Sequence, residues 1–224
     1  MPGPLRWLLL AVLVTVLPVA AGVLVLDDDE PSSAPPTPPA PRYASTPLAD
    51  YDTTTVALTR APFCDRLPDD AVTEAIGKVR DTTSYRNGQR VEIAAGVDDV
   101  AHEYGCRIIG TRGDVRAWVF APPVTPAGAR DLAAQARESG ESKSCTRPAQ
   151  APAYGVSSVA LVCPSGNRRW ASFRGLFGDA WLSCSLSAPA SLGNADLLDR
   201  AGRWCVAVAE AAAVAPTLPD SASS

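Results

Sequence analysis

Residues 156–187 read VSSVALVCPSGNRRWASFRGLFGDAWLSCSLS, and this stretch decides the fold class. From Trp181 to Ser187 the residues alternate. Leu182, Cys184 and Leu186 fall on one face, and Ser183, Ser185 and Ser187 on the other. That period of two marks a half-buried strand with Cys184 pointing inward. Val156 to Cys163 and Arg169 to Leu176 read as a hairpin over Pro164-Ser165-Gly166-Asn167, and the Trp181 strand follows through Phe177-Gly178-Asp179. Short turns between successive strands favour antiparallel pairing.

Working outward, Asn194 is positioned to cap a helix. Leu197, Leu198, Ala201, Cys205, Val208 and Ala212 then recur at three- and four-residue steps, which places Cys205 on a buried stripe. Upstream, Thr125-Pro126 starts a helix carrying Ala129, Leu132, Ala133 and Ala136 on one side. Residues 140–152 read as a polar connection after it. Cys106 to Gly110 and Val115 to Ala121 read as strands around Thr111-Arg112-Gly113-Asp114. Leu67-Pro68-Asp69-Asp70 opens a first helix, with Val72, Ala75, Ile76 and Val79 as its apolar stripe and Gly77 weakening it. Tyr85 to Asn87-Gly88 reads as loop or turn. The expected order is helix, two strands, helix, three strands, helix. This is an α+β fold, an antiparallel sheet packed with about three helices and stapled by disulfides.

All six cysteines, Cys64, Cys106, Cys145, Cys163, Cys184 and Cys205, lie beyond residue 60. An even count in an exported domain reads as three disulfides, and no Cys-x-x-Cys pair points to zinc or thioredoxin-like chemistry. Six cysteines allow 15 pairings, among which sequence alone does not choose. Geometry is a partial guide: inward cysteines on a strand and on the next helix can meet, which pairs Cys184 with Cys205. Nearest-neighbour logic extends this to Cys145 with Cys163 and Cys64 with Cys106.

At the other end of the chain, Trp7 to Leu26 carries no charged side chain, Arg6 precedes it and Asp27, Asp28, Asp29 and Glu30 follow. A helix of that length, at about 1.5 Å per residue, matches a hydrocarbon core of about 30 Å. The charge order places everything after it outside the cytoplasm. The expectation is a transmembrane anchor over 1–26. Cleavage near Val19-Ala20-Ala21 is the alternative, although the apolar run continues past that site. Either way the body is exported. An acidic and then proline-rich stalk over 27–60 follows. At about 3.1 Å per residue, its proline-dense part spans roughly 50 Å in the polyproline II form. The folded domain is expected over 61–215 and a disordered tail over 216–224.

Phe63-Cys64-Asp65-Arg66-Leu67-Pro68, a helix ending near Ile76-Gly77, and Tyr104-Gly105-Cys106 on a strand together resemble the opening of cysteine-containing envelope domains of actinobacteria. Those proteins are exported, mostly as lipoproteins, and many have no assigned function. The resemblance covers residues 62–121. It implies an α+β sheet domain with Cys64 bonded to Cys106. This chain departs from the family in having an apolar anchor where the family has a lipidated cysteine. The scarcity of lysine, only Lys78 and Lys143 among 20 basic residues, fits a GC-rich bacterial genome. A fold-level similarity to the extracellular sensor domain of a mycobacterial serine/threonine kinase is an analogy of the same kind.

Catalytic chemistry finds little support in the residues. His102 is the only histidine, and neither a Gly-x-Ser-x-Gly elbow nor a zinc helix accompanies it. Asp69-Asp70 and Asp98-Asp99 are sequence neighbours whose side chains diverge, so neither makes an acid/base pair. Arg112-Gly113-Asp114 spells an integrin-type tripeptide where a tight turn wants Gly and Asp. The net charge of −4 points away from nucleic acid, and no cofactor or metal site is expected. The strongest functional signal is aromatic. Trp170, Ser172 and Arg174 share one strand face, and Trp181, Ser183 and Ser185 share that of the neighbour. If the two faces coincide, Trp170, Arg174 and Trp181 make an amphipathic platform for a glycan or a protein, unless a helix covers it. The expected function is therefore an anchored, extracytoplasmic binding or sensor-like domain of the cell envelope, partnered by the membrane and by an envelope protein or glycan. An extracytoplasmic enzyme acting on cell-wall material, or a purely structural envelope protein, is the alternative.

Overall fold

A computed structural model describes residues 43–94 and 97–214, without side-chain detail at 91–98. The expected anchor, most of the stalk and the C-terminal tail lie outside the described residues. No described helix is long and apolar enough to cross a membrane.

The described residues form an α+β fold with three α-helices and eight strands: α1 (Asp69–Ile76), β1 (Val79–Tyr85), β2 (Arg90–Ala94), β3 (Val97–Val100), β4 (Glu103–Gly110), β5 (Asp114–Phe120), α2 (Pro126–Ser142), β6 (Val156–Ser165), β7 (Arg168–Phe177), β8 (Ala180–Pro189) and α3 (Asn194–Ala212). Six strands make one antiparallel sheet in the order β1-β4-β5-β8-β7-β6, while β2 and β3 pair as a separate ribbon. The three-stranded meander β6–β7–β8 returns β8 to the centre, against β5. Its two turns are two-residue hairpins, Gly166-Asn167 and Gly178-Asp179. Each has its glycine at positive φ in the first central position, as a type II′ turn requires. Pro164 falls within β6, which tolerates it as an edge strand.

Alternation along the strands sorts the sheet into two faces. One carries Cys106, Ile108, Val115, Ala117, Val119, Phe173, Leu182, Cys184 and Leu186, which form the main core with Val72 and Ile76 of α1 and Leu197, Trp204 and Cys205 of α3. Tyr154 is buried there, and its hydroxyl donates to the Cys205 carbonyl at 2.8 Å. The other face carries a smaller core. Ala129, Ala133 and Ala136 of α2 pack there over Val159, Leu161, Cys163, Leu176 and Trp181. The small residues let α2 sit close to the sheet. A Cβ at Gly140 would come within 3.1 Å of the Leu161 methyls.

The disulfides are Cys64–Cys106, Cys145–Cys163 and Cys184–Cys205, and no cysteine is free. Each joins a sheet strand to an element that covers the sheet: the turn before α1 to β4, the segment after α2 to β6, and α3 to β8.

Several elements differ from the sequence expectations. Gly77, at φ 75°, ends α1, so Val79 begins β1 rather than extending the helical stripe. β1 is an exposed edge strand of polar residues, which leaves no apolar alternation to read. The ribbon β2–β3 is likewise absent from the expected order; its strands are only five and four residues long. Helix α2 runs on to Ser142, beyond Gly140. Residues 43–60 pack on the body instead of continuing the stalk. Leu48 and Leu58 are buried in the main core, and Thr59 N–H donates to the Ala212 carbonyl at 2.8 Å. Leu48, Tyr51, Val56 and Leu58 hold this segment through long-range contacts with the main core, which no local pattern announces. Gly193 is the N-cap of α3, while the Asn194 carboxamide oxygen accepts from Arg169 at 2.9 Å.

Candidate functional site

On the face opposite the main core, α2 covers β6, part of β7 and one end of the central strands. The remainder is an open groove of about 470 Å³, a volume in the range of ligand sites. Strand register fixes its floor. One cross-strand row runs Thr83, Arg107, Arg116, Ser185, Ser172, and the adjacent row runs Tyr85, Gly105, Trp118, Ser183, Arg174. A third row contributes Asp114, Ser187 and Trp170. With strands about 4.8 Å apart and residues rising about 3.4 Å, Trp118 and Trp170 stand diagonally at opposite ends of the β8 serines.

The groove is lined by four guanidinium groups, Arg107, Arg116, Arg168 and Arg174, and one carboxylate, Asp114. Asp114 is already engaged by Arg168, at 3.0 Å, and Arg168 also donates to the Ser187 hydroxyl and carbonyl. Arg107 and Arg116 are direct cross-strand neighbours, and no ion pair or hydrogen bond joins either to any described residue. Like charges placed directly opposite destabilise a sheet. At the groove floor, the Ser172 hydroxyl and the Arg174 Nε are buried without a hydrogen-bond partner, with Ser172 only 1% exposed. Burial pulls the Arg174 guanidinium below its ordinary pKa.

Aromatics gather on the sheet beside Trp118. Gly105 lacks a Cβ, which lets the Tyr85 ring lie over it. A Cβ there would fall 2.5 Å from the Tyr85 hydroxyl. That hydroxyl donates to Glu103 at 2.9 Å. Burial, then the charge of Glu103, push the Tyr85 phenol well above its ordinary range. Burial also raises Glu103, opposed by the bond from Tyr85. Trp118 packs beside Phe120, ring centroids 5.1 Å apart.

Of the sequence-designated residues, Trp170 and Arg174 line the groove, together with Ser172, Ser183 and Ser185. Trp181 does not. It is 1% exposed in the core beneath α2, so the helix covers that one end of the platform. Trp118 supplies the second indole instead. Trp118, Arg116 and Asp114 alternate along β5 as Trp170, Ser172 and Arg174 do along β7, and this polar face was the available signal. Arg168 extends the Trp170, Ser172 and Arg174 alternation by one step, whereas Arg107 carried no signal, because only the strand order brings it alongside. His102 is exposed and lies outside the groove lining. The Arg112-Gly113-Asp114 turn is occupied internally. Arg112 donates to the Thr73 and Glu74 carbonyls at the end of α1, and Asp114 holds Arg168. Among the described residues no cluster of His, Cys, Asp or Glu could hold a metal ion.

No family model and no curated protein matches this chain.

Proposed function

We propose that this protein is an extracytoplasmic binding domain of the bacterial cell envelope, held at the membrane by its N-terminal apolar segment, and that its ligand lodges in the open groove of the sheet. The observation that carries the reading is the unpaired polar floor. A sheet gains nothing for its own stability from opposed Arg107 and Arg116, or from a buried Ser172 hydroxyl and Arg174 Nε without partners. A ligand supplying acceptors would pair the exposed Arg107 and Arg116 guanidinium groups and offset their repulsion. Three disulfides fit an oxidising compartment. The groove chemistry fits binding better than turnover: its lining holds no histidine or cysteine, and its one carboxylate is tied to Arg168, whereas acid/base hydrolysis needs free convergent groups.

Co-sedimentation of the full chain with isolated bacterial cell-wall material tests this reading. The wild type is expected to pellet with the wall fraction, and Ser185→Trp, which fills the centre of the groove from an exposed-side position, is expected to stay in the supernatant. Equal behaviour of the two proteins would remove the groove as the binding surface.

A further inference from the structure

We infer that the groove takes an anionic saccharide, whose carboxylate or phosphate is held by Arg107, Arg116 and Arg174 and whose ring lies on Trp118 or Trp170. This rests on the groove being the ligand surface, and adds what the ligand must be. The charge on the floor is the first observation. The chain as a whole carries −4, yet its groove places four guanidinium groups against one carboxylate that is already paired. Such a local reversal of sign selects an anion. Planar guanidinium forks match the oxygens of a carboxylate or phosphate in pairs. The second is the buried, unpartnered Ser172 hydroxyl and Arg174 Nε. Both belong to residues of the groove lining, and at Arg174 the ligand would meet the outer nitrogens of the fork, with the Nε beneath them.

The remaining lining distinguishes a sugar from an acidic peptide. Ser165, Ser185 and Ser187 offer accessible hydroxyls that both donate and accept, as the hydroxyls of a sugar require. The only large apolar surfaces in the lining are the two indoles. An indole offers a flat face to the C–H side of a pyranose and a polar edge to its hydroxyls. No aliphatic pocket is present in the lining to receive the anchor residue typical of a protein partner.

The full chain is titrated with trigalacturonate, its neutral methyl ester, mannose 6-phosphate, inorganic phosphate and triglutamate, following tryptophan emission and heat. Saturable binding of trigalacturonate or mannose 6-phosphate is expected, and which of the two binds identifies the carboxylate or the phosphate as the anchoring group. The affinity is expected to fall as sodium chloride is raised. The neutral ester, inorganic phosphate and triglutamate are each expected to bind at least about tenfold more weakly. Arg174→Met is expected to weaken binding about tenfold or more without lowering the melting temperature, which separates loss of a ligand contact from loss of the fold. Arg174→Lys, which keeps the charge and loses the fork, is expected to fall between the two.

Equal binding of the neutral ester would overturn the anionic class. Equal binding of triglutamate or inorganic phosphate would overturn the saccharide. If no probe binds while Ser185→Trp still abolishes wall co-sedimentation, the groove stands as the binding surface and the anionic saccharide is ruled out. If Ser185→Trp is without effect there as well, both readings fail.

Discussion

Arg107 and Arg116 meet across two strands with no carboxylate between them, and Arg174 is drawn below its ordinary pKa by burial alone. Arg107 and Arg116 stay exposed and their cost is mutual repulsion, whereas the placement of Arg174 costs the folded state something because a charged group loses water without gaining a partner. Glu103, near the same end of the sheet, shows the cost in a form that titration can read. Burial raises its pKa, more than the Tyr85 hydroxyl lowers it, so the folded state holds the proton more tightly than the unfolded chain does. That contribution to stability is fully present below the unfolded value and is lost as pH rises through the folded one. Glu103→Gln keeps an acceptor for Tyr85 and removes the titration. It is expected to melt above the wild type at neutral pH, with the gap closing as pH falls through the carboxylate range. Melting curves from pH 3 to 8 check this, and a variant that melts below the wild type at neutral pH would contradict it.

Helix α2 decides how much of the sheet face remains open. Its inner stripe is Ala129, Ala133, Ala136 and Gly140, and Trp181 and Leu161 lie directly beneath. Enlarging that stripe must lift the helix or distort the sheet. Ala133→Leu is expected to cost about 1–3 kcal/mol, as overpacking of a tight site does, and to shift the emission of Trp181 toward that of a wetter indole. Denaturant midpoints and fluorescence spectra measure both, and an unchanged midpoint would show a looser contact than the packing implies. The same helix explains what sequence could and could not convey. The period of two from Trp181 to Ser187 and the period of 3.6 after Asn194 are strong local patterns, and they located β8, α3 and the bond between Cys184 and Cys205. The serines and the Trp170 face followed from the same alternation. That Trp181 is covered while Ser185 is partly open depends on where α2 comes to rest over the strand, and no periodicity within either element states that. β1 was missed because a polar edge strand lacks the alternation that burial imposes on an inner one. The register of β4 against β5, which brings Arg107 beside Arg116, is a property of the pair.

At the scale of the molecule, the sheet has one face largely covered and the other half covered, and the proposed binding would use only the half-covered one. The main core, with α1 and α3, holds the largest buried side chains, among them Phe63, Phe173 and Trp204. The groove face contributes charge and hydroxyls. On the proposed reading, changes to the groove floor are expected to act mainly on ligand affinity and changes to the opposite face mainly on folding, because the two are separated by the thickness of one sheet. The covalent bonds follow the same plan, since each ties a covering element to the strand it lies on.

Those bonds also have an order in time. The cysteines pair first with second, third with fourth and fifth with sixth, closing stretches of 42, 18 and 21 residues that neither overlap nor nest. A chain emerging through a membrane pore amino end first would complete each partner pair before the next cysteine appeared. An oxidant that joins consecutive thiols as they arrive would then make native bonds at every step, and no wrong bond would await repair. Secretion into a periplasm that has a thiol oxidase and lacks a disulfide isomerase is expected to yield the fully native pairing by non-reducing peptide mapping. Dependence of that pairing on the isomerase would mean that the chain emerges far enough ahead of oxidation for its cysteines to compete.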